Sequence, residues 1–195
     1  MSLNHGNLSD EELVLLCQKR LPGDPRAFTA LVSRYEGRVL ATCFRLMGNM
    51  QEAEDQAQEV FIRVYRGLFH FQGRSSFSTW LFQVTVNTCR TALKKRSRRP
   101  QVLEASLLNL ETYLPSPETP EETTLTHIEQ DTAQQALQML NPEQRIILIL
   151  RETNGLEYKE IAEILEINLS AAKMRVMRAR LAWQKAYQKI LEQNQ

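Results

Sequence analysis

Apolar residues recur along this chain at three- and four-residue spacing, and no stretch alternates convincingly with period two. That periodicity predicts helices and no sheet, an all-α chain. Ser9 followed by Glu12 makes a capping-box pattern ahead of a first helix, ELVLLCQKR. Asp24 and Pro25 read as an N-cap with Pro at the first helical position. The helix they open should run from Arg26 to about Met47 and stop at Gly48 and Asn49. A third helix is expected from about Gln51 to Leu68, and a fourth, past a loop around Gly73, from about Ser76 to Arg96.

The pattern then breaks. From Pro100 to Glu143 there is no Lys or Arg, while Glu104, Glu111, Glu118, Glu121, Glu122, Glu129 and Asp131 make the stretch acidic. Pro115, Pro117 and Pro120 interrupt it, so residues 100–124 read as a linker, mostly extended or disordered. Thr126 to Leu140 turns helical again, with Ile128, Ala136, Leu137 and Leu140 as candidate core. Asn141, Pro142 and Gln144 restart the chain as N-cap, N1 and N3 of a helix that stops at Asn154 and Gly155. Two small helical domains are therefore expected, residues 1–99 and 125–195, with no internal repeat.

Composition adds little until its distribution is considered. Of 195 residues 43% are hydrophobic, enough for a core, and the net charge of +1 gives no sign of a nucleic-acid partner. Cys17, Cys43 and Cys89 are odd in number and far apart in sequence, which points to buried free thiols rather than disulfides or zinc. The N-terminus lacks the apolar run of a signal peptide, and no stretch approaches a membrane span of about 20 residues, so a soluble cytoplasmic protein is expected. No Gly-rich phosphate loop, metal-ligand cluster or nucleophile with a nearby base occurs, and His5, His70 and His127 have no evident partners. Neither a cofactor, a small-molecule substrate nor catalysis is expected.

The chemistry lies at the C-terminus. From Leu156 to Trp183 the chain reads as two helices joined by a tight turn. On the second, Ala172, Val176, Ala179, Trp183 and Ile190 fall in one stripe that should face the core. Met174, Met177, Arg178, Leu181 and Lys185 lie opposite, Lys173, Arg175 and Arg180 flank the stripe, and no acid occurs between Glu166 and Glu192. Ala162 suits a close helix crossing and Asn168 or Ser170 a cap, together a helix-turn-helix that could place cations in a DNA groove. The bland reading is a surface helix with snorkelling cations. Glu166 stands where such turns commonly use Gly.

The N-terminal half carries two further faces. On the helix from Gln51, the residues Ala53, Ala57, Val60, Phe61, Val64 and Leu68 form an apolar stripe. Opposite lie Asp55, Gln58, Glu59, Ile62 and Arg66, either a protein-docking face or a solvated one with a stray Ile. Next come Phe69, Phe71, Phe77, Trp80 and Phe82, then a basic run of Arg90, Lys94, Lys95, Arg96, Arg98 and Arg99. Rings beside cations are the means of holding single-stranded DNA, although most of these rings should be core. The polar loop from Gln72 to Ser76 could form a pocket for one extruded base.

DQAQEVFIRVYRGLFHFQGRSSFSTWLFQVTVNTCR resembles conserved region 2 of the sigma-70 family in its extracytoplasmic-function (ECF) group, and LNPEQRIILILRETNGLEYKEIAEILEINLSAAKMRVMRARLAW resembles its region 4. The likeness spans about residues 24–99 and 128–188, in the family's order. It implies a dissociable subunit of bacterial RNA polymerase that opens the −10 promoter element and reads the −35 element as duplex. It places Asp55, Gln58, Glu59 and Ile62 on the clamp helices of the β′ subunit. It assigns the loop Phe71, Gln72, Arg74, Ser75, Ser76 and Phe77 to a flipped −10 base, with Trp80 and Asn87 at the strand-opening surface and Arg90, Lys94 and Lys95 on backbone. In region 4, which docks on the flap of the β subunit, Lys173, Met174, Arg175, Met177 and Arg178 would meet the −35 groove. Many members carry small or polar residues where Met174 and Met177 stand; methionine can pack on thymine methyls but reads no base edge by strong hydrogen bonds. Family members are usually held inactive by an anti-sigma factor, often membrane-bound, though no residue here specifies one. The competing reading is a helix-turn-helix regulator of duplex DNA, which would not need the strand-opening segment from Phe69 to Arg99.

Overall fold

The computed structural model describes residues 5–97 and 120–193. Within them the chain is helical throughout, with no strand. Helix α1, Asp10–Arg20, opens on the expected capping box: Ser9 Oγ accepts the Glu12 N–H and Glu12 Oε2 accepts the Ser9 N–H. Helix α2, Arg26–Met47, has Pro25 rather than the expected Asp24 at its N-cap, without a side-chain cap bond, and Asp24 Oδ1 accepts the Arg26 N–H at 3.2 Å from one position farther out. It ends at Gly48, left-handed at φ 77°, whose N–H donates to Phe44 O. Asn49 caps helix α3, Met50–Gly67. A 3-10 turn, Leu68–His70, and a loop lead to helix α4, Phe77–Ser97. The N-terminal core is the inner face of these four helices: Leu13, Leu31, Val39, Val60, Leu81 and Phe82 are all fully enclosed. Each such side chain contributes about 1.5–3 kcal/mol by leaving water.

The three cysteines are free and buried, as expected. They are not all far apart in space, however. Cys43 on α2 and Cys89 on α4 meet with their Sγ atoms 3.6 Å apart, and the Cys89 thiol donates to Cys43. That contact first, then burial, pushes the Cys43 thiol up, and burial pushes Cys17 up to about 11. Such thiols stay protonated and behave as small apolar side chains.

Helix α5, Pro120–Met139, begins inside the stretch expected to be linker to residue 124. Pro120 opens this helix rather than interrupting the chain, because at the first helical position its missing N–H costs nothing. The rest of that stretch, and with it Arg98 and Arg99, lies outside the described residues. Asn141 caps helix α6, Pro142–Leu148, through the Gln144 N–H, and a π-helical turn, Ile149–Thr153, continues it to Asn154 and Gly155. Helices α7, Tyr158–Ile164, and α8, Leu169–Gln193, complete the chain.

The C-terminal helices pack against the N-terminal four at the end of α2. A helix leaves its last carbonyls without partners. Here Gln134 and Gln138 of α5 donate to Phe44 O and Arg45 O, and Arg145 of α6 to Leu46 O at 2.7 Å. Arg145 is 5% exposed and also donates to the carbonyls of Leu137, Gln138 and Leu140 and to the Gln138 side chain. Farther up α2, buried Asn154 hydrogen-bonds Thr42, and Arg38 donates to Asn154 O.

Candidate nucleic-acid interface

The C-terminal grip is a helix crossing. Ile161 and Ala162 of α7 and Ala172, Val176 and Ala179 of α8 are buried at the contact, small enough for the axes to approach. The turn between them closes through Ile167 N–H to Ala162 O at 2.9 Å, and Glu166 sits there at φ 54°. A non-glycine residue in that region costs about 1 kcal/mol, so the turn holds Glu166 against its preference. Asn168 Oδ1 caps α8 by accepting the Ala171 N–H at 2.7 Å.

That geometry turns Lys173, Met174, Arg175, Met177 and Arg178 outward, all exposed. Arg180, expected beside them, is drawn back into an ion pair with Glu152 at 2.7 Å. Trp183 is half-buried and donates to Ala133 O on α5. Met174, Met177 and Leu181 leave an apolar strip of roughly half-exposed side chains along the outer face. A helix surface of cations and thioethers with no carboxylate neutralises phosphate and offers apolar contact to a groove floor.

The N-terminal grip is built on α4 and the loop before it. Ser76 Oγ accepts the Thr79 N–H at 3.1 Å and so starts α4. Gly73 takes φ 66°, which turns the loop outward with Gln72, Arg74 and Ser76 exposed and Ser75 half-buried. The ring centroids of Phe71 and Trp80 lie 4.9 Å apart, and Phe77 meets both edge-on or tilted. Phe77 is 2% exposed and therefore the floor beneath the loop; Phe71 and Trp80 are half-open walls. A Cβ on Gly67 would come 3.0 Å from the Trp80 ring, so any side chain there would press the indole back by a few tenths of an ångström.

Farther along α4, Asn87, Lys94 and Lys95 are exposed on the helix surface. Arg90 is not free: it forms a two-pronged pair with Glu143 of α6, both contacts at 3.0 Å. Arg96 pairs with Glu52 and donates to Met47 O. A third face lies on α3, where Asp55, Gln58 and Ile62 are exposed and Glu59 pairs with Arg63 one turn on.

Four residues escaped the sequence reading. Gln18 of α1 donates to Leu68 O and Phe71 O and fixes the start of the loop that precedes α4. Glu143 and Glu160 reach across to Arg90 and Thr79, and Arg38 lies over the Phe82 ring while bonding Asn154 O. Their partners all lie on other elements far along the chain, beyond any local pattern.

The chain matches the sigma-70 region 2 family over residues 31–99 and the sigma-70 region 4 family over residues 130–182. It is 36% identical over 189 residues to the RNA polymerase sigma-H factor of Pseudomonas aeruginosa, covering 94% of this chain and 96% of that protein. It is 33% identical over 180 residues to the ECF RNA polymerase sigma-E factor of Escherichia coli strain K12, covering 90% and 92%. The chain belongs to the ECF group of the sigma-70 family.

This ECF sigma factor is therefore a promoter-specificity subunit of RNA polymerase, binding core enzyme and promoter DNA, and the duplex-only regulator reading gives way. Sigma factors are generally non-enzymatic DNA-recognition subunits. Two solved structures share its fold. One, of the sigma factor RpoE with the anti-sigma factor NepR from Bartonella quintana, superposes with a TM-score of 0.66 at 23% identity over 83% of this chain and 96% of that one. The other, of CnrH in complex with the cytosolic domain of CnrY, gives 0.64 at 21% identity over 95% and 99%. No helix among the described residues of the sigma factor is long and apolar enough to cross a membrane.

Proposed function

We propose that the three exposed faces divide the work of initiation. Asp55, Gln58, Glu59 and Ile62 on α3 dock on the β′ clamp helices. The loop from Phe71 to Ser76, walled by Phe71 and Trp80 over buried Phe77, holds a flipped base of the −10 element, and Asn87, Arg90, Lys94 and Lys95 hold the strand. Lys173, Met174, Arg175, Met177 and Arg178 enter the −35 groove while the C-terminal unit, residues 125–195 with the first turns of α5, sits on the β flap. Residues 1–99 carry the strand-opening work, and the acidic stretch that joins the units links the two grips. The protein acts in the cytoplasm, catalyses nothing itself and is held in check by an anti-sigma factor at the inner membrane.

The observation that carries this reading is the pairing in one chain of a half-open aromatic loop beside cations with a separate cationic helix-turn-helix. Run-off transcription with core polymerase tests it. Lys173→Ala with Arg178→Ala removes two groove cations; duplex −35 binding should fall about tenfold or more and lose about 1.8 in log–log salt slope, with −10 single-strand binding intact. Equal losses on both probes, or no promoter-dependent transcript from any genomic template, would defeat the reading.

The methionines make a finer prediction. If Met174 and Met177 lie on thymine methyls, replacing thymine by deoxyuridine in the −35 duplex should weaken binding about threefold per methyl lost. The penalty should vanish in the Met174→Ala, Met177→Ala protein, as filter-binding on matched duplexes would show.

A further inference from the structure

We propose that Gln18 is a positioning residue for base capture: from α1, which carries none of the DNA-facing residues, its amide fixes the wall of the loop that takes the extruded −10 base. This rests on the reading of the loop from Phe71 to Ser76 as the base-holding element.

The loop is fixed at its two ends. At the far end Ser76 Oγ accepts the Thr79 N–H at 3.1 Å and starts α4. At the near end stands the 3-10 turn Leu68–His70, closed by the Phe71 N–H onto Leu68 O at 3.2 Å. Gln18 Nε2 donates to Leu68 O at 2.9 Å and to Phe71 O at 2.8 Å. A primary amide has two N–H groups, and here one goes to each side of the turn. Leu13 and Cys17 on α1 and Leu68 in the turn are all fully enclosed, so this clasp refers Phe71 to the core of the unit. Beyond it Gln72 and Arg74 are exposed and Gly73 takes φ 66°.

The wall itself shows why the clasp matters. Phe71 and Trp80 stand 4.9 Å apart at 36°, already in contact, so a base meets the open side of the pair rather than the space between the rings. Which side is open depends on where Phe71 is held. Phe77 beneath meets Phe71 only edge-on, with centroids 6.3 Å apart at 88°. Ring contacts do not fix a backbone; hydrogen bonds to its carbonyl do, because they are directional. A wall already in place loses no freedom when the base arrives, so the clasp raises affinity without touching the base.

The test uses holoenzyme, the full chain on core polymerase, with core alone as background. The probe is a fluorescein-labelled pool of single strands of about 12 nucleotides, randomised at every position. Sequencing the bound strands reads the base preference at each position. The wild-type chain should show at least one position where a single base dominates. Gln18→Met and Gln18→Glu keep the length of the side chain and remove both donors. In each, the strongest preference should fall about tenfold, while affinity for the pool as a whole changes by less than about twofold, because phosphate contacts are untouched. A merely structural loss would lower both together, and urea unfolding confirms the fold of each variant. Gln18→Lys again offers donors to both carbonyls and should restore most of the preference. Either donor-less variant, folded and with the wild-type preference, overturns the positioning role. A wild-type chain with no preferred position is a different failure, that of the base-holding reading itself.

Discussion

Arg145→Ala should cost about 3–5 kcal/mol of stability, on the order of a third of what a domain of this kind possesses. Arg145 is almost fully enclosed, yet among the described residues no carboxylate pairs with it. Its charge is carried by carbonyl dipoles: Leu46 O at the end of α2, and Leu137 O, Gln138 O and Leu140 O at the end of α5. Burial pulls its guanidinium down to about 10, with Arg96 nearby adding to the shift, and it stays charged at neutral pH. A cation at the meeting point of two helix C-termini is favoured by both macrodipoles. Alanine leaves those acceptors buried with no donor, each at about 1–3 kcal/mol when water does not reach it. Lysine offers one compact ammonium in place of a five-donor fork and should recover only part of the loss. Urea unfolding of the full chain measures it, and the thermal midpoint should drop by on the order of 10 °C. A loss under about 1 kcal/mol would mean that water already solvates these carbonyls and that Arg145 is no keystone.

That residue also marks the boundary of what could be foreseen. Most helix starts and faces are legible because their cause is local. Ser9 with Glu12, Asn141 and Asn168 each cap a helix through the neighbour three positions on, and the apolar stripes of α3 and α8 face the core as periodicity predicts, with Phe61 and Trp183 half-buried at their margins. Glu166 was suspected of a left-handed turn from its position alone, and it has one. The exposed cationic face of α8, the aromatic loop before α4 and the polar face of α3 follow from side-chain chemistry at helical spacing. What could not be named was which cations are already engaged. Arg90 and Arg180 read as free on a helix wheel, but their carboxylates come from residues 53 and 28 positions away. Nor could the wheel divide the aromatic cluster: Phe77, Phe71 and Trp80 look alike in sequence, and only packing under Tyr35 makes Phe77 the floor. Pro120 misled for a related reason, since a proline stops a helix from within but is tolerated at its first residue.

Charge reversal on α3, Glu59→Arg with Ile62→Arg, should weaken binding to core polymerase by about a hundredfold or more while leaving the fold intact. Ile62 is 44% exposed on a surface otherwise made of Asp55, Gln58 and Glu59, so its apolar area is unpartnered in the free protein. Removing it costs the folded state little, within about 0.5 kcal/mol. Glu59 gives up an exposed pair with Arg63, worth about 0.3–0.5 kcal/mol, and the new guanidinium then stands beside Arg63 in mild repulsion. At an interface the same two changes act differently. A buried Ile becomes a charge that must be desolvated, and an acid that selects a basic partner becomes a base that repels it. Fluorescence titration of labelled protein with core enzyme reads the affinity, and urea unfolding confirms the fold. Oligothymidylate binding supplies the contrast: it should be unchanged, because Trp80, Arg74 and Lys94 lie on the loop and α4 rather than on this face. Retained core affinity in a folded double variant would move the docking surface off α3 altogether, and the neighbouring exposed Phe69 would not rescue it, since that ring follows α3 in the turn leading to the −10 loop.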